Sequence, residues 1–290
     1  MANNHDYMLF FTKKGKCFWM RVYEIPEGSR TSKGRAIQNL INIEQDDKVK
    51  AFICTKDLKD EDYINQHYVI MATKKGQVKK TSLETYSRPR INGINAITIR
   101  EGDELLVAKL TNGESQIVMA LKSGKAIRFE EAKTRPMGRS ASGVRGIRLQ
   151  HDKDEVIGMV SINDMESNIL VVSANGYGKR SKLEDYRITN RGGKGVKTNS
   201  ITDKTGNLVS IKNVNDSNGL MIINKSGIAI RMAVKDLRVM GRATQGVKLI
   251  NIKKGDSIAA VAKVMHEEQE EDVIESGNNS PPAEEGNTEE

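Results

Sequence analysis

Apolar runs of four or five residues, each closed by a short polar turn with a glycine, recur along the chain. The five copies end at Gly15, Gly76, Gly124, Gly176 and Gly227, which are 61, 48, 52 and 51 residues apart. Runs rich in Val and Ile that end in Lys-Gly, Ser-Gly or Asn-Gly are β-hairpin signals. The pattern therefore predicts five hairpins, in which each glycine accepts the positive φ of the turn.

The segment after each hairpin also repeats. A long basic loop carries a second glycine 17 or 19 residues after the first, at Gly34, Gly93, Gly143, Gly195 and Gly246. A short apolar strand follows, then an acidic turn and a last apolar strand. The short strands are expected at Ala36–Ile43, Ala96–Ile99, Val144–Leu149, Val196–Ile201 and Val247–Ile252. Helix has little room, with single turns expected only at Leu183–Tyr186 and Ala233–Leu237.

Four short strands in each unit of roughly 50 residues, five times over, predict an all-β, propeller-like disc. The repeats span about 7–60, 68–114, 116–165, 168–216 and 219–264. Residues 54–67 interrupt the period and are interpreted as an exposed charged loop. Residues 265–290 contain few apolar side chains and are predicted to be a disordered acidic tail.

Charge divides the chain into two parts. The formal net charge is +8, but residues 266–290 hold ten acids and no Lys or Arg. Residues 1–265 therefore carry 46 basic against 28 acidic side chains, a net charge of +18. A body this cationic is expected to bind a polyanion, and the tail is a candidate competitor for that partner.

Sequence signals of catalysis, metal binding and membrane insertion are missing. Two cysteines, Cys17 and Cys54, are too few for a disulfide scaffold or a structural zinc site, which favours the cytoplasm. The four histidines are scattered, and no apolar run is long enough to span a membrane. Arg191–Gly195 is rich in glycine, but no acidic residue follows at the spacing of a dinucleotide site. No catalytic residue, metal ligand or cofactor is predicted for this chain.

Basic side chains keep their phase from repeat to repeat. They stand four and eight residues before the loop glycine and two residues after it. They also stand four residues after the hairpin glycine, a position that is Trp19 in the first repeat and Lys80 in the second. The predicted binding residues, including neighbouring cations in the same loops, are Arg30, Arg35, Arg88, Arg90, Arg128, Arg135, Arg139, Arg145, Lys179, Arg180, Arg187, Arg191, Lys194, Lys197, Arg231, Arg238, Arg242 and Lys248.

Equivalent positions in a repeat array lie on one rim, so these residues predict a cationic band around the edge of the disc. Ordinary solvated charge is the alternative, although scattered charge would not keep its phase through five copies. Membrane headgroups are also anionic, but no apolar anchor accompanies the cationic band. Only 7 Tyr, 5 Phe and 1 Trp are present, too few to favour stacking on single-stranded bases. Duplex DNA fits best, bound through its phosphates without sequence preference and bent around the rim.

Several phrases carry a family resemblance. They are Val22-Tyr-Glu-Ile-Pro26, Gly34-Arg-Ala-Ile37, Gly143-Val-Arg-Gly-Ile-Arg148, Asn175-Gly-Tyr-Gly-Lys-Arg180 and Val239-Met-Gly-Arg-Ala-Thr-Gln-Gly-Val247. Together they resemble the C-terminal domain of the A subunit of bacterial DNA gyrase, a β-pinwheel, over about residues 7–264. The resemblance implies a domain that wraps duplex DNA around its basic rim and supports ATP-dependent negative supercoiling by a type II topoisomerase.

The resemblance also implies partners. These are duplex DNA and the rest of the gyrase A protein, together with the gyrase B protein, in a heterotetramer of two A and two B chains whose other parts hold ATP and Mg²⁺. The family's cleavage tyrosine is absent, so no catalysis is expected of this chain itself. Its glycine-rich wrapping box is matched only at Arg191–Gly195, in the fourth repeat, which suggests that the first blade is missing. The C-terminal domain of the A subunit of topoisomerase IV and a protein-interaction propeller remain alternatives.

Overall fold

The computed structural model describes residues 2–29, 31–56, 58–253 and 255–265. Over these residues the chain is built from short antiparallel strands in five sheets, with one six-residue helix, α1 (Glu61–Gln66). Single 3-10 turns include Leu183–Asp185 and Val234–Asp236, at the two places where the sequence allowed helix. The prediction of an all-β, propeller-like disc is confirmed. Arg30 and the tail from residue 266 onward lie outside the described residues.

Each repeat begins with a hairpin, and the turn glycines have φ between 80° and 88°, as predicted. The hairpins are β1 (Tyr7–Thr12) with β2 (Lys16–Arg21), β4 (Tyr68–Thr73) with β5 (Gln77–Ser82), β8 (Gln116–Leu121) with β9 (Lys125–Glu130), β12 (Asn168–Ser173) with β13 (Tyr177–Lys182), and β16 (Asn218–Asn224) with β17 (Ala229–Ala233). The last strand of each repeat pairs with the first strand of its own hairpin. These last strands are β3 (Val49–Thr55), β7 (Leu105–Thr111), β11 (Val156–Ile162), β15 (Leu208–Val214) and β19 (Ile258–Met265).

The short strands are exchanged between repeats. They are β6 (Ile94–Asn95), β10 (Val144–Arg145), β14 (Val196–Lys197) and β18 (Val247–Lys248). Each one pairs with the second hairpin strand of the preceding repeat, as in the order β3-β1-β2-β6 of the first sheet. The first four sheets, here called blades 1 to 4, therefore have four strands each. Blade 5 has three, in the order β17-β16-β19.

The strand predicted at Ala36–Ile43 is wrong. A 3-10 turn occupies Ile37–Asn39, and no second hairpin strand among the described residues pairs with this segment. Ile41 and Ile43 are instead buried against Phe10 on the face of blade 1 that points away from blade 2.

The core lies between the blades. Four buried apolar clusters each join two consecutive blades, and a fifth belongs to blade 1 alone. Among the described residues no such cluster joins blade 5 to blade 1. The insert at residues 54–67 contributes to this core, because Leu58 and Ile64 are buried between blades 1 and 2, so its interpretation as a plain exposed loop is wrong.

Consecutive repeats are also joined by backbone hydrogen bonds at the hairpin glycine. The Gly176 carbonyl accepts from Leu249 N at 2.8 Å and from Ile250 N at 3.4 Å, and Gly15, Gly76 and Gly124 are bonded in the same way. A side chain at Gly176 would place its Cβ 2.7 Å from the Ile250 carbonyl oxygen. The glycine is thus required both by its φ and by the close approach of the next repeat.

Candidate nucleic-acid interface

The exchanged strands form the outer edge of blades 1 to 4, and those of blades 2 to 4 carry equivalent cations. Arg145, Lys197 and Lys248 are the second residues of β10, β14 and β18. All three are exposed. Each lies opposite the first residue of a second hairpin strand, so the three side chains leave their sheets in the same direction. In blade 1 the equivalent position is Asn95, which is neutral.

The basic loops place further cations beside these outer strands. The exposed members of the predicted set in the loops and on β17 are Arg35, Arg88, Arg90, Arg135, Arg187, Lys194, Arg231 and Arg238. Arg90 and Arg139, from successive repeats, line one hollow together with Asn95 of β6. The loops of neighbouring repeats therefore meet at the outer edge.

Two half-buried loop arginines fix this edge by binding its backbone. Arg191 donates from Nε to the Lys133 carbonyl at 3.0 Å and from Nη1 to the Arg145 carbonyl at 3.2 Å. Arg242, its equivalent in the next repeat, donates to the Lys197 carbonyl at 2.7 Å. Each arginine thus binds the backbone of the exposed cation on the preceding outer strand: Arg191 binds Arg145, and Arg242 binds Lys197.

The expectation that Arg128 and Arg180 lie exposed on the rim is wrong. Both side chains are buried, at 8% and 7% exposure. Arg128 Nη1 donates to the Leu183 and Tyr186 carbonyls at 2.7 and 3.0 Å, and Arg180 donates to the Leu237 carbonyl and to Asp216.

These contacts recur at the four junctions between consecutive repeats, which we call seams. The residue four after the hairpin glycine, on the second hairpin strand, donates to a carbonyl in or beside the 3-10 turn of the next repeat. We call these residues the inter-blade donors: Trp19, Lys80, Arg128 and Arg180. Trp19 makes this contact in blade 1 through its indole N–H, to the Tyr86 carbonyl at 2.9 Å. The periodicity of these residues therefore has a folding cause.

Lys179 is also placed differently from the prediction. Its ammonium group is buried and donates to the carbonyls of Gly241 and Arg242 and to Thr244 Oγ1. Lys79, its equivalent in blade 2, donates to the carbonyls of Ala96 and Arg139 at 2.6 and 2.7 Å. Burial lowers the pKa of each lysine to about 8.

Some cations at the outer edge were missed in the sequence. Lys75, Arg100 and Arg148 line a hollow with Arg145 beside β10. Regular spacing along the chain marks only positions that recur, and the residues equivalent to Lys75 and Arg100 are basic in few of the other repeats. Clustering of this kind depends on which loops the fold brings together.

Other kinds of site are not found in the described part of the chain. No group of three or more His, Cys, Asp or Glu side chains there could hold a metal ion. No described helix is long and apolar enough to cross a membrane.

The family described as DNA gyrase C-terminal domain, beta-propeller, matches the chain at residues 6–56, 67–112, 117–163, 167–215 and 220–265. The chain belongs to this family. The A subunit of DNA gyrase from Staphylococcus aureus strain NCTC 8325 is 42% identical over 285 residues, which are 98% of this chain and 32% of that protein. Its counterpart from strain MRSA252 is 43% identical over 94% of this chain and 30% of its own length. The chain thus spans about a third of the length of these relatives, which are A subunits of gyrase rather than of topoisomerase IV.

Solved structures share the fold of this gyrase-family domain. The C-terminal domain of DNA topoisomerase IV superposes with a TM-score of 0.81 at 24% identity, over 91% of this chain and 80% of that one. The DNA gyrase A C-terminal domain gives a TM-score of 0.77 at 23% identity, over 91% and 84%. The E. coli ParC C-terminal domain gives 0.62 at 15%, over 90% and 100%. At these identities the likeness concerns the fold alone.

Proposed function

We propose that this domain binds duplex DNA without sequence preference and wraps it around its outer edge. The observation that carries the proposal is the exposed cation at the same register position of three successive outer strands, at Arg145, Lys197 and Lys248. Guanidinium and ammonium groups on a convex edge can contact successive phosphates of a duplex, and phosphate contacts carry no sequence information. Bending the duplex costs several kcal/mol, which a series of phosphate contacts offsets.

The names of the relatives support a place for the domain in a larger enzyme. We infer that it is the DNA-wrapping part of a gyrase A protein and that it supports negative supercoiling by a type II topoisomerase. The expected partners are the rest of the gyrase A protein and the gyrase B protein, in a complex of two A and two B chains. ATP and Mg²⁺ would be held by other parts of that complex, in the cytoplasm, and DNA cleavage would not be carried out by this domain.

Salt dependence of DNA binding tests the electrostatic part of the proposal. With about eight phosphate contacts, the slope of log K against log salt concentration is expected to be near −7. Replacing Arg145, Lys197 and Lys248 together by Ala should make that slope shallower by about 3, since each cation accounts for about one contact. A slope near zero for the unaltered domain would contradict phosphate binding.

A matched control removes the same charge elsewhere. Lys56, Lys153 and Lys225 are exposed and stand outside the outer strands. Their joint replacement by Ala should leave the slope within about 1 of the unaltered value. If both triple variants flatten the slope equally, net charge rather than the outer edge binds DNA.

Wrapping is tested separately from binding. Nicked circular DNA is ligated in the presence of the domain, and the linking number is measured after the protein is removed. A shift that grows with protein concentration and disappears in the Arg145, Lys197 and Lys248 variant supports wrapping around this edge. Tight binding with an unchanged linking number would reduce the function to simple DNA attachment.

A further inference from the structure

Two buried lysines bind basic loops from inside the disc. Lys79 on β5 and Lys179 on β13 stand three residues after their hairpin glycines, and their side chains are 0% and 1% exposed. The same position is Phe18, Ile127 or Ile230 in the other repeats. Because burying an ammonium group is costly, and an apolar side chain fills this place elsewhere, packing does not explain the two lysines.

The ammonium group of Lys179 holds the loop of repeat 5 at its arginine. It donates to the Gly241 carbonyl at 2.8 Å, to the Arg242 carbonyl, and to Thr244 Oγ1 at 3.1 Å. These three acceptors use all three ammonium protons. The two carbonyls belong to the peptide units on either side of the Arg242 Cα atom, so the backbone of this arginine is fixed on both sides.

Arg242 extends these contacts to the neighbouring blade. Its Nη1 donates to the Lys197 carbonyl at 2.7 Å, and Lys197 is the exposed cation of the outer strand β14. A buried lysine of blade 4 is thus connected, through one arginine, to the backbone of an exposed cation on blade 3.

Lys79 makes corresponding contacts in blade 2. It donates to the carbonyls of Ala96 and Arg139 at 2.6 and 2.7 Å. Arg139 is the equivalent of Arg242 in the loop of repeat 3, and Ala96 directly follows Asn95 of the outer strand β6. In both blades, therefore, the buried ammonium group binds backbone beside an outer strand.

We propose that Lys179 is a positioning residue for DNA wrapping, which sets the direction of Lys197 through Arg242, and that Lys79 has the same role in the loop of repeat 3. The inference rests on the proposed function, because it concerns how exposed cations line up on one bent duplex. Both lysines are buried, so neither contacts a phosphate. Loss of their contacts leaves the number of phosphate contacts unchanged but loosens their alignment, so wrapping should decline more than binding.

The charge of Lys179 gives this role a readout that packing lacks. Its pKa is lowered to about 8 by burial, an effect that the charge of Asp185 opposes and the charges of Arg242 and Lys197 reinforce. Above this pH the neutral amine has two protons for three acceptors, so one contact is lost. Wrapping should therefore fall as the pH rises from about 7 to 9.5, whereas proton linkage makes the unfolding free energy rise above about pH 8. Opposite trends separate positioning from stability.

The first experiment follows DNA bending by the full chain across this pH range. Energy transfer between dyes at the two ends of a linear duplex reports bending at saturating protein, and fluorescence anisotropy reports binding. Energy transfer should fall with rising pH in the unaltered chain, and in K179M it should already be low at neutral pH and change little. Identical energy transfer in the two chains at every pH would overturn the inference. If the unaltered chain bound DNA without bending it, wrapping itself would be refuted, and this inference with it.

Matched variants separate the ammonium group from packing. I127M places the same methionine at the equivalent position of blade 3, where no ammonium group is lost, and it should bend DNA like the unaltered chain. An equal loss of bending in I127M and K179M would overturn the inference. The salt slope of K179M should stay within about 1 of the unaltered value, because every exposed cation remains. A larger change would show that Lys179 acts on phosphate binding itself.

A last measurement needs no variant and decides the question even if K179M does not fold. Nuclear magnetic resonance of labelled lysine side chains gives the titration midpoint of Lys179 in the unaltered full chain. The fall in energy transfer should have the same midpoint, and a fall at a different pH, or no fall across the titration of Lys179, would overturn the inference.

Discussion

The double requirement on the hairpin glycines can be measured by comparing two of them. Gly176 and Gly227 have φ of 80° and 88°, so an alanine costs each turn about 1–2 kcal/mol in left-handed backbone strain. Only Gly176 faces a following repeat, with the Ile250 carbonyl oxygen 2.7 Å from the added Cβ; nothing lies within 4 Å at Gly227. Forcing that seam apart adds about 1–3 kcal/mol, for a total of about 2–5 kcal/mol.

Unfolding by denaturant, followed by circular dichroism, gives the free energies for G176A and G227A. Hydrogen exchange gives the location of the damage, because the amides of Leu249 and Ile250 bond to the Gly176 carbonyl. These two amides should lose protection in G176A and keep it in G227A. Equal losses of stability in the two variants, with the seam still protected, would show that φ alone requires glycine here.

Three further predictions concern charged side chains at the seams. Arg128→Ala should lower the unfolding free energy by about 2–4 kcal/mol, because two buried backbone carbonyls lose their donor, whereas the exposed Arg135→Ala should change it by less than about 0.5 kcal/mol. The lysine partners of Glu104 outweigh its burial and hold its pKa at about 2. Glu104 therefore contributes stability that is lost as the pH falls from about 4.5 to about 2, and E104Q should show a shallower acid unfolding profile. Burial lowers the pKa of Lys179 to about 8, so this side chain binds fewer protons in the folded protein than in the unfolded one. The unfolding free energy should therefore rise between about pH 8 and 10.5, and it should rise less in K179M.

Most of the fold could be predicted because its signals are local. A hairpin needs a run of β-branched residues and a glycine that accepts positive φ, and both are visible at Gly124 or Gly176 without knowledge of the rest of the chain. The exchange of short strands could not be predicted in this way. Val247 pairs with Gly178, 69 residues earlier, and the choice of partner depends on how two repeats stack. The same cause turned the predicted strand at Ala36–Ile43 into a 3-10 turn.

The candidate site was predicted less completely, because periodicity does not distinguish a charge that meets solvent from one that meets a carbonyl. The positions of Arg180 and Lys248 are both basic in most repeats, yet Arg180 is buried and Lys248 is exposed. The difference follows from what the next repeat covers. Arg180 donates to the Leu237 carbonyl of the next repeat, whereas Lys248 is on the outermost strand of its sheet. A buried cation must find its hydrogen-bond acceptors within the protein.

In the proposed DNA complex, the seams and the exposed cations would act in different ways. Arg191 holds the carbonyl of Arg145, and Arg242 holds that of Lys197, so each loop arginine sets the direction of an exposed cation in the preceding outer strand. Removing an exposed cation should subtract one phosphate contact and make the salt slope of DNA binding shallower. Removing a loop arginine such as Arg242 leaves Lys197 charged but releases its backbone. The contacts then persist, while the curvature that aligns them along one bent duplex is lost, so wrapping should decline more than binding.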